Sequence, residues 1–243
     1  MRNMKSIYLT TELRAEADSY LPSAERILSG HPEQRVRIVL PDAGNGAVGG
    51  IWECEVGAYR IQYGANEHEL CHILSGEVRL HDDQGQAAQF GPGDVFQIPG
   101  GFKGVWETLA PLRKSFLTTT DDTPATSPCG LDDVIRFDQA VRASSRFLSI
   151  IADVPHSVAV HSETIALAGR GISFALERPG HYLLGVAQGG TLTMTHGDVH
   201  TSVMPGESFF VAAECQVRIK GESDAELSFM TIGEAKFNRG ESL

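Results

Sequence analysis

Short runs of alternating apolar and polar residues, broken by Gly, Pro, Asp and Asn, dominate this chain and predict strands far more often than helices. Val36, Ile38 and Leu40 alternate with Arg35, Arg37 and Val39, which is the two-residue period of an edge strand. From Gly49 the pattern is firmly β: GGIWECEVGAYRIQY, a break at GANE, then HELCHILSGEVRLHD. After a turn at Asp82-Asp83-Gln84-Gly85 come AAQF, the stretch GPGDVFQIPGGFKGVW (Gly91 to Trp106), and a closing strand in LRKSFLTTT. Within Gly91 to Trp106, Pro92 presets φ and the neighbouring Gly residues allow positive φ, so a tight turn leads into the strand Val95 to Ile98. Thr11 to Tyr20 is the one clear helical candidate, and a further short helix is expected after residue 133.

Residues 121–133, DDTPATSPCGLDD, have no periodic apolar face and read as a linker. Beyond it the same grammar returns. HYLLGVAQGGTLTM (181–194) can be laid on HELCHILSGEVRLH (68–81), and MPGESFFVAAE (204–214) on GPGDVFQIPGG (91–101), at one constant offset. That places His181 on His68, Tyr182 on Glu69, Gly189 on Gly76 and Pro205 on Pro92, and predicts an internal duplication. The expected domains are 1–120, a first barrel with an N-terminal extension, and 134–243, a second and more degenerate barrel, joined by 121–133. The fold class is all-β, two barrels in tandem with a few short helices.

Composition changes this picture little. The 243 residues are 42% hydrophobic and 21% charged, as in ordinary globular proteins, and 26 Gly with 11 Pro fit a turn-rich β fold. A net charge of −11 argues against nucleic acid or an anionic membrane as partner. Met1 to Lys5 leads into no apolar run, and no segment approaches the ~20 apolar residues of a membrane span, so a cytoplasmic location is expected. Cys54, Cys71, Cys129 and Cys215 have no C-x-x-C spacing and read as free thiols.

The candidate chemistry sits in the first barrel. On the strand beginning near His68, alternation puts Glu69, Cys71 and Ile73 on one face and His68, Leu70, His72 and Leu74 on the other. If Glu69 points inward, both His point out, toward a covering barrel or subunit, and a homodimer is the expected assembly. A carboxylate in an apolar interior must be paired or take up a proton, and can then act as general acid or base. Lys114 is the candidate partner; a solvated surface Lys is the alternative. Trp52, Tyr59, Tyr63 and Trp106 either line a ligand pocket with Cys71 or simply fill a core.

The frame G-x5-P-x-G in Gly91 to Trp106 resembles the second sequence motif of the cupin superfamily of small jelly-roll barrels. With Gly50-Ile51-Trp52-Glu53, Gly57-Ala58-Tyr59, Glu69 to Val78 and Pro111 to Lys114, residues 20–118 resemble a bacterial single-cupin family of uncharacterised proteins related to (S)-ureidoglycine aminohydrolase. The resemblance implies tandem RmlC-like barrels. It also implies a metal site at Glu69, at two positions before it (Tyr63 and Ala65, or Gln62 and Gly64), and at Gly104, five residues after Pro99. Three of those four positions lack a donor, so a divalent metal is disfavoured. The expected function is binding of a small polar metabolite in the first barrel, with Glu69 and Lys114 as catalytic candidates. The alternative is an aminohydrolase-like enzyme of nitrogen or ureide metabolism with a non-standard metal site.

Overall fold

The computed structural model describes residues 7–15, 18–120, 123–127, 129–137, 146–151, 158–167, 169–222, 224–233 and 236–239. Among these the chain is all β, interrupted only by the 3-10 turns Thr10–Glu12 and Leu131–Asp133. No helix among the described residues is long and apolar enough to cross a membrane.

The helix expected over Thr11 to Tyr20 is not formed. Thr10–Glu12 makes a single 3-10 turn, and Ser19–Tyr20 pairs with Arg35 and Gln34 as an edge strand. A ten-residue helix is marginal without a face to bury, and here Leu13 is buried while Glu12 and Arg14 stay exposed. The helix expected after the linker falls mostly on residues outside those described.

The chain divides into two compact units, residues 14–39 with 48–138, and residues 1–13 and 40–47 with 139–243. The first unit is a sheet whose strands run in the order 135–136, 95–98, 69–82, 103–119, 47–54, 34–40, 19–20; 57–62 also pairs with the long Lys103–Thr119 strand and carries 27–30, and 87–90 pairs with 69–82. Its apolar core gathers Trp52, Tyr59, Cys71, Ile73, Phe96 and Trp106 with their neighbours. The described part of 121–133 is bound to this unit. The Cys129 amide donates to the Gly101 carbonyl at 3.0 Å, Leu131 to Asp82 at 3.1 Å, and Ile135–Arg136 adds an edge strand beside Phe96 and Gln97.

The second unit has two sheets. One runs 7–9, 208–211, 182–189, 226–232, 158–166, 146–151; the other 199–203, 192–196, 215–221, 171–176, 236–239. Leu183, Phe209 and Phe229 from the first and Phe174, Met194 and Ile219 from the second share one core. Sequence order and packing part company at the N-terminus, because Ile7–Leu9 pairs with Phe209–Val211 and Thr10 Oγ1 donates to the Ser208 carbonyl.

The same turn recurs in both units. Asp94 N–H donates to the Gly91 carbonyl and Gly93 has φ +89°; Glu207 N–H donates to the Met204 carbonyl and Gly206 has φ +82°. The strand paired with it, however, is aligned differently from the constant sequence offset. Gly93 and Asp94 exchange hydrogen bonds with Ile73, whereas Gly206 and Glu207 exchange theirs with Ala187. Glu69 stands opposite Ile98, and Leu183 opposite Val211. The counterpart of Glu69 is therefore Leu183, not Tyr182, and that of the positive-φ Gly76 is Gly190 (φ +51°), not Gly189. A one-residue slip reverses the faces of a strand. It turns Leu183 and Ala187 into the core and sends the Tyr182 hydroxyl to the Pro41 carbonyl.

Candidate functional site

Two strands of the first unit build the site. Glu69–Asp82 pairs antiparallel with Lys103–Thr119, and the register sets Cys71 opposite Phe116, Ile73 opposite Lys114 and Glu69 opposite Thr118. Successive side chains alternate, so Glu69, Cys71 and Ile73 share the inner face with Lys114 and Phe116. The pairing is irregular between Thr108 and Lys114. There the chain presses on Gly76, where a Cβ would meet the Pro111 carbonyl oxygen at 2.2 Å, so that position tolerates only Gly.

At the centre Lys114 Nζ lies 2.8 Å from Glu69 Oε1, in an ion pair with both residues buried. Tyr63 donates its hydroxyl to Glu69 Oε2 at 2.5 Å, and Lys114 reaches Cys71 Sγ at 3.4 Å. The ammonium rests against indole faces, 4.4 Å from the Trp106 ring centroid and 5.0 Å from that of Trp52, and the two indoles meet edge to face at 5.5 Å. Tyr59 is buried in the same core. The seven residues singled out from the sequence, Glu69, Lys114, Tyr59, Tyr63, Cys71, Trp106 and Trp52, thus lie in one unit around one ion pair. The core residues Cys71, Ile73 and Phe96 are sealed at 0% exposure, while Glu69 (7%), Lys114 (5%), Trp52 (8%), Tyr59 (6%) and Phe116 (7%) each keep a sliver of accessible surface.

Electrostatics follow from the burial. Burial alone would favour a neutral Lys114 amine, but the Glu69 carboxylate and the hydrogen bonds to Glu69 and Cys71 more than offset this, and its pKa stands above the ordinary lysine value. Burial pushes the Tyr63 hydroxyl well above its ordinary value, with the Glu69 charge adding to the effect. The Cys71 thiol is raised by burial and then by Glu69, so it is a protonated hydrogen-bonding group and no nucleophile. Trp106 Nε1 is buried without a hydrogen-bond partner among the described residues.

Sequence reasoning missed Tyr20. It is 47% exposed, hydrogen-bonds Trp52, and senses the Lys114 and Glu69 charges from the rim. Its two-residue strand has no periodic signal, and only tertiary packing brings it here.

The cupin resemblance implied a metal site, and the residues present do not fit one. Glu69 is held by Lys114 and Tyr63. At Gly104 a Cβ would meet the His81 carbonyl oxygen at 1.9 Å, leaving no room for a ligand side chain. Among the described residues no three His, Cys, Asp or Glu groups converge. His68 and His72 stand on the opposite face of their strand. His68 Nδ1 accepts from the Gly100 amide at 3.1 Å, and burial pushes both imidazoles down to about 4. Leu70 and His72 are 0% exposed in the single chain, so covering them requires no second copy.

No curated protein matches the chain. Residues 42–116 match the EutQ-like cupin domain family. Among solved structures, a cupin 2 conserved barrel domain protein from Leptotrichia buccalis has a TM-score of 0.55 at 10% identity, over 92% of this chain and 99% of that one. A DUF861 protein of unknown function from Pseudomonas syringae pv. tomato has 0.55 at 14% identity, over 94% and 100%. Ylba from E. coli, also DUF861, has 0.53 at 14%, over 98% and 92%. At such identities the likeness is one of fold. Residues 42–116 match a cupin domain, and the chain as a whole is similar in fold to the cupin 2 barrel protein and the two DUF861 proteins.

Proposed function

We propose that the first unit of a two-cupin chain binds a small polar metabolite over the Glu69–Lys114 pair. The observation that carries this reading is the pair itself, a carboxylate and an ammonium buried 2.8 Å apart beside two indole faces. Buried ion pairs are weak devices for stability, since well-packed apolar residues of similar volume often do as well or better. A buried ion pair walled by aromatic rings is the kind of arrangement found at binding and reacting sites. The pair carries no net charge, and Glu69 already accepts from Lys114 and Tyr63. Of the three Lys114 donors, one goes to Glu69 and a weak one to Cys71. The site therefore favours an uncharged ligand bearing an acceptor oxygen, with the Trp52 and Trp106 faces as walls.

Aminohydrolase-like chemistry on a ureido or amino substrate is the alternative. It draws no support from the donor set, which offers Glu69 to an ammonium in place of a metal ion. Within the binding reading, Lys114 orients the ligand oxygen, Tyr63 holds Glu69 in place, and the aromatic walls exclude water.

The test is a metabolite thermal-shift screen on wild type, Glu69→Gln and Trp106→Phe. A stabilising neutral carbonyl compound should lose its effect in both variants. Hits that stabilise the variants as well as wild type would refute the site, and ammonia release from a ureido substrate would favour the alternative.

A further inference from the structure

A cleft lies outside the apolar core of the same unit. Arg60, Gln62, Lys103 and Val105, from the paired strands Gly57–Gln62 and Lys103–Thr119, line this cleft of about 660 Å³, within the size range of small-ligand pockets. One wall is the Glu25–Arg26 turn and the other Thr123–Pro124, whose carbonyl at Thr123 is fixed by the Ala65 amide at 2.8 Å.

Three carboxylates and three cations line this cleft, and they are not matched. Asp83 pairs with Lys103 at 3.0 Å, Glu67 accepts the Gly64 amide at 2.9 Å, and Glu25 accepts from the Ser23 side chain. Arg26 and Arg60 form no close ion pair among the described residues, and the Glu25 carboxylate acts on Arg26 only through its charge, without a direct contact. Backbone carbonyls hold both guanidinium groups instead. Arg26 Nε donates to the Arg60 carbonyl at 2.9 Å, and Arg60 Nη1 to the Glu25 carbonyl at 3.1 Å. Arg26 also lies over the Tyr59 ring, 5.7 Å from its centroid. Two guanidinium groups are thus pre-positioned with terminal N–H groups left over, on a chain whose net charge is −11. A planar fork of N–H donors matches the oxygens of a carboxylate or phosphoryl group, and a guanidinium already fixed by other bonds loses less entropy in gripping one.

We infer that this cleft binds a small dianionic metabolite through Arg26 and Arg60. The shared chemistry is a pair of oxyanion oxygens on each guanidinium, which a phosphomonoester or a dicarboxylate can supply. The inference does not rest on the interior site: Arg60 and Lys103 are exposed, whereas Ile61 and Tyr63 border both regions and Arg26 lies on the outer side of Tyr59.

Calorimetric titration of the full chain at low ionic strength tests it, with glycerol 3-phosphate, succinate and uncharged glycerol as probes. At least one dianion should bind, and glycerol should not. Arg60→Gln should weaken that binding about tenfold, and Arg26→Gln/Arg60→Gln should weaken it further, the scale of a lost charge-assisted contact. Because Arg26 touches Tyr59, the single Arg60→Gln variant guards against a packing effect. Glu69→Gln should leave dianion affinity unchanged. Failure of both dianions to bind, equal binding of glycerol, or affinity that falls in Glu69→Gln but not in the Arg variants would overturn the assignment. Selective binding of one dianion identifies the oxyanion class.

Discussion

Replacing Lys114 by Met tests how the interior is held. Met fills a similar volume against Trp52, Trp106 and Phe116 but removes the ammonium 2.8 Å from Glu69. At that distance the gross attraction is about 6 kcal/mol for an effective dielectric of 20, and desolvation of the two groups offsets most of it. The variant keeps the desolvation of Glu69 and loses the attraction, leaving only the neutral Tyr63 hydroxyl and Cys71 thiol beside it. The expected loss is about 3–5 kcal/mol at pH 7, the range for an orphaned buried charge. Adding Glu69→Gln removes that charge, and the double variant should return to within about 1 kcal/mol of wild type. The assay is urea denaturation followed by tryptophan fluorescence. Trp52 and Trp106 are the only two Trp in the chain and both touch Lys114, so the signal reports this unit. A loss below about 1 kcal/mol in Lys114→Met, or a double variant as unstable as the single, would refute the reasoning.

Acid should weaken the fold. His68 and His72 are pushed down to about 4 in the folded chain, so between there and the ordinary value near 6.5 the unfolded state binds more protons. Their contribution is therefore complete above pH 6.5 and is lost as pH falls toward 4, on the order of 3 kcal/mol for each. Denaturation at pH 7, 5.5 and 4.5 should show this, with His72→Gln flattening the slope. The Lys114 pKa is raised, so its stabilising contribution is fully present below the ordinary lysine value and is lost only as pH climbs through the higher folded value. The cost of Lys114→Met should accordingly be the same at pH 7 and pH 9. In native protein at pH 8, a thiol reagent should label half-buried Cys129 before Cys54, Cys71 and Cys215, which are buried; mass spectrometry of the labelled peptides checks the order. Gly104→Ala should cost about 3 kcal/mol, because its Cβ would sit 1.9 Å from the His81 carbonyl oxygen, and an unchanged denaturation midpoint would contradict the close approach.

The local pattern carried much of this structure. Two-residue alternation put Glu69, Cys71 and Ile73 on one face, and the Gly-Pro-Gly-Asp turn formed as its residues require, with Gly91 N–H on Asp94 Oδ2 at 2.7 Å. These features depend on neighbours within a few residues, which a linear pattern displays. The pairing of Lys114 with Glu69 was legible only as one of two options. The residues are 45 apart, and the irregular register between Thr108 and Lys114 is decided by strand–strand contact. The offset between the two halves was right at the turn and wrong by one residue on the strand beside it. Register belongs to the pair of strands, and a shift of one residue leaves the sequence match looking almost as good while it reverses every side chain. Tyr20, the attachment of residues 129–137 to the first unit, and the matching of each charge in the Arg26–Arg60 cleft had no sequence signal. Each depends on side chains meeting across long separations in the chain, where tertiary packing alone chooses the partner.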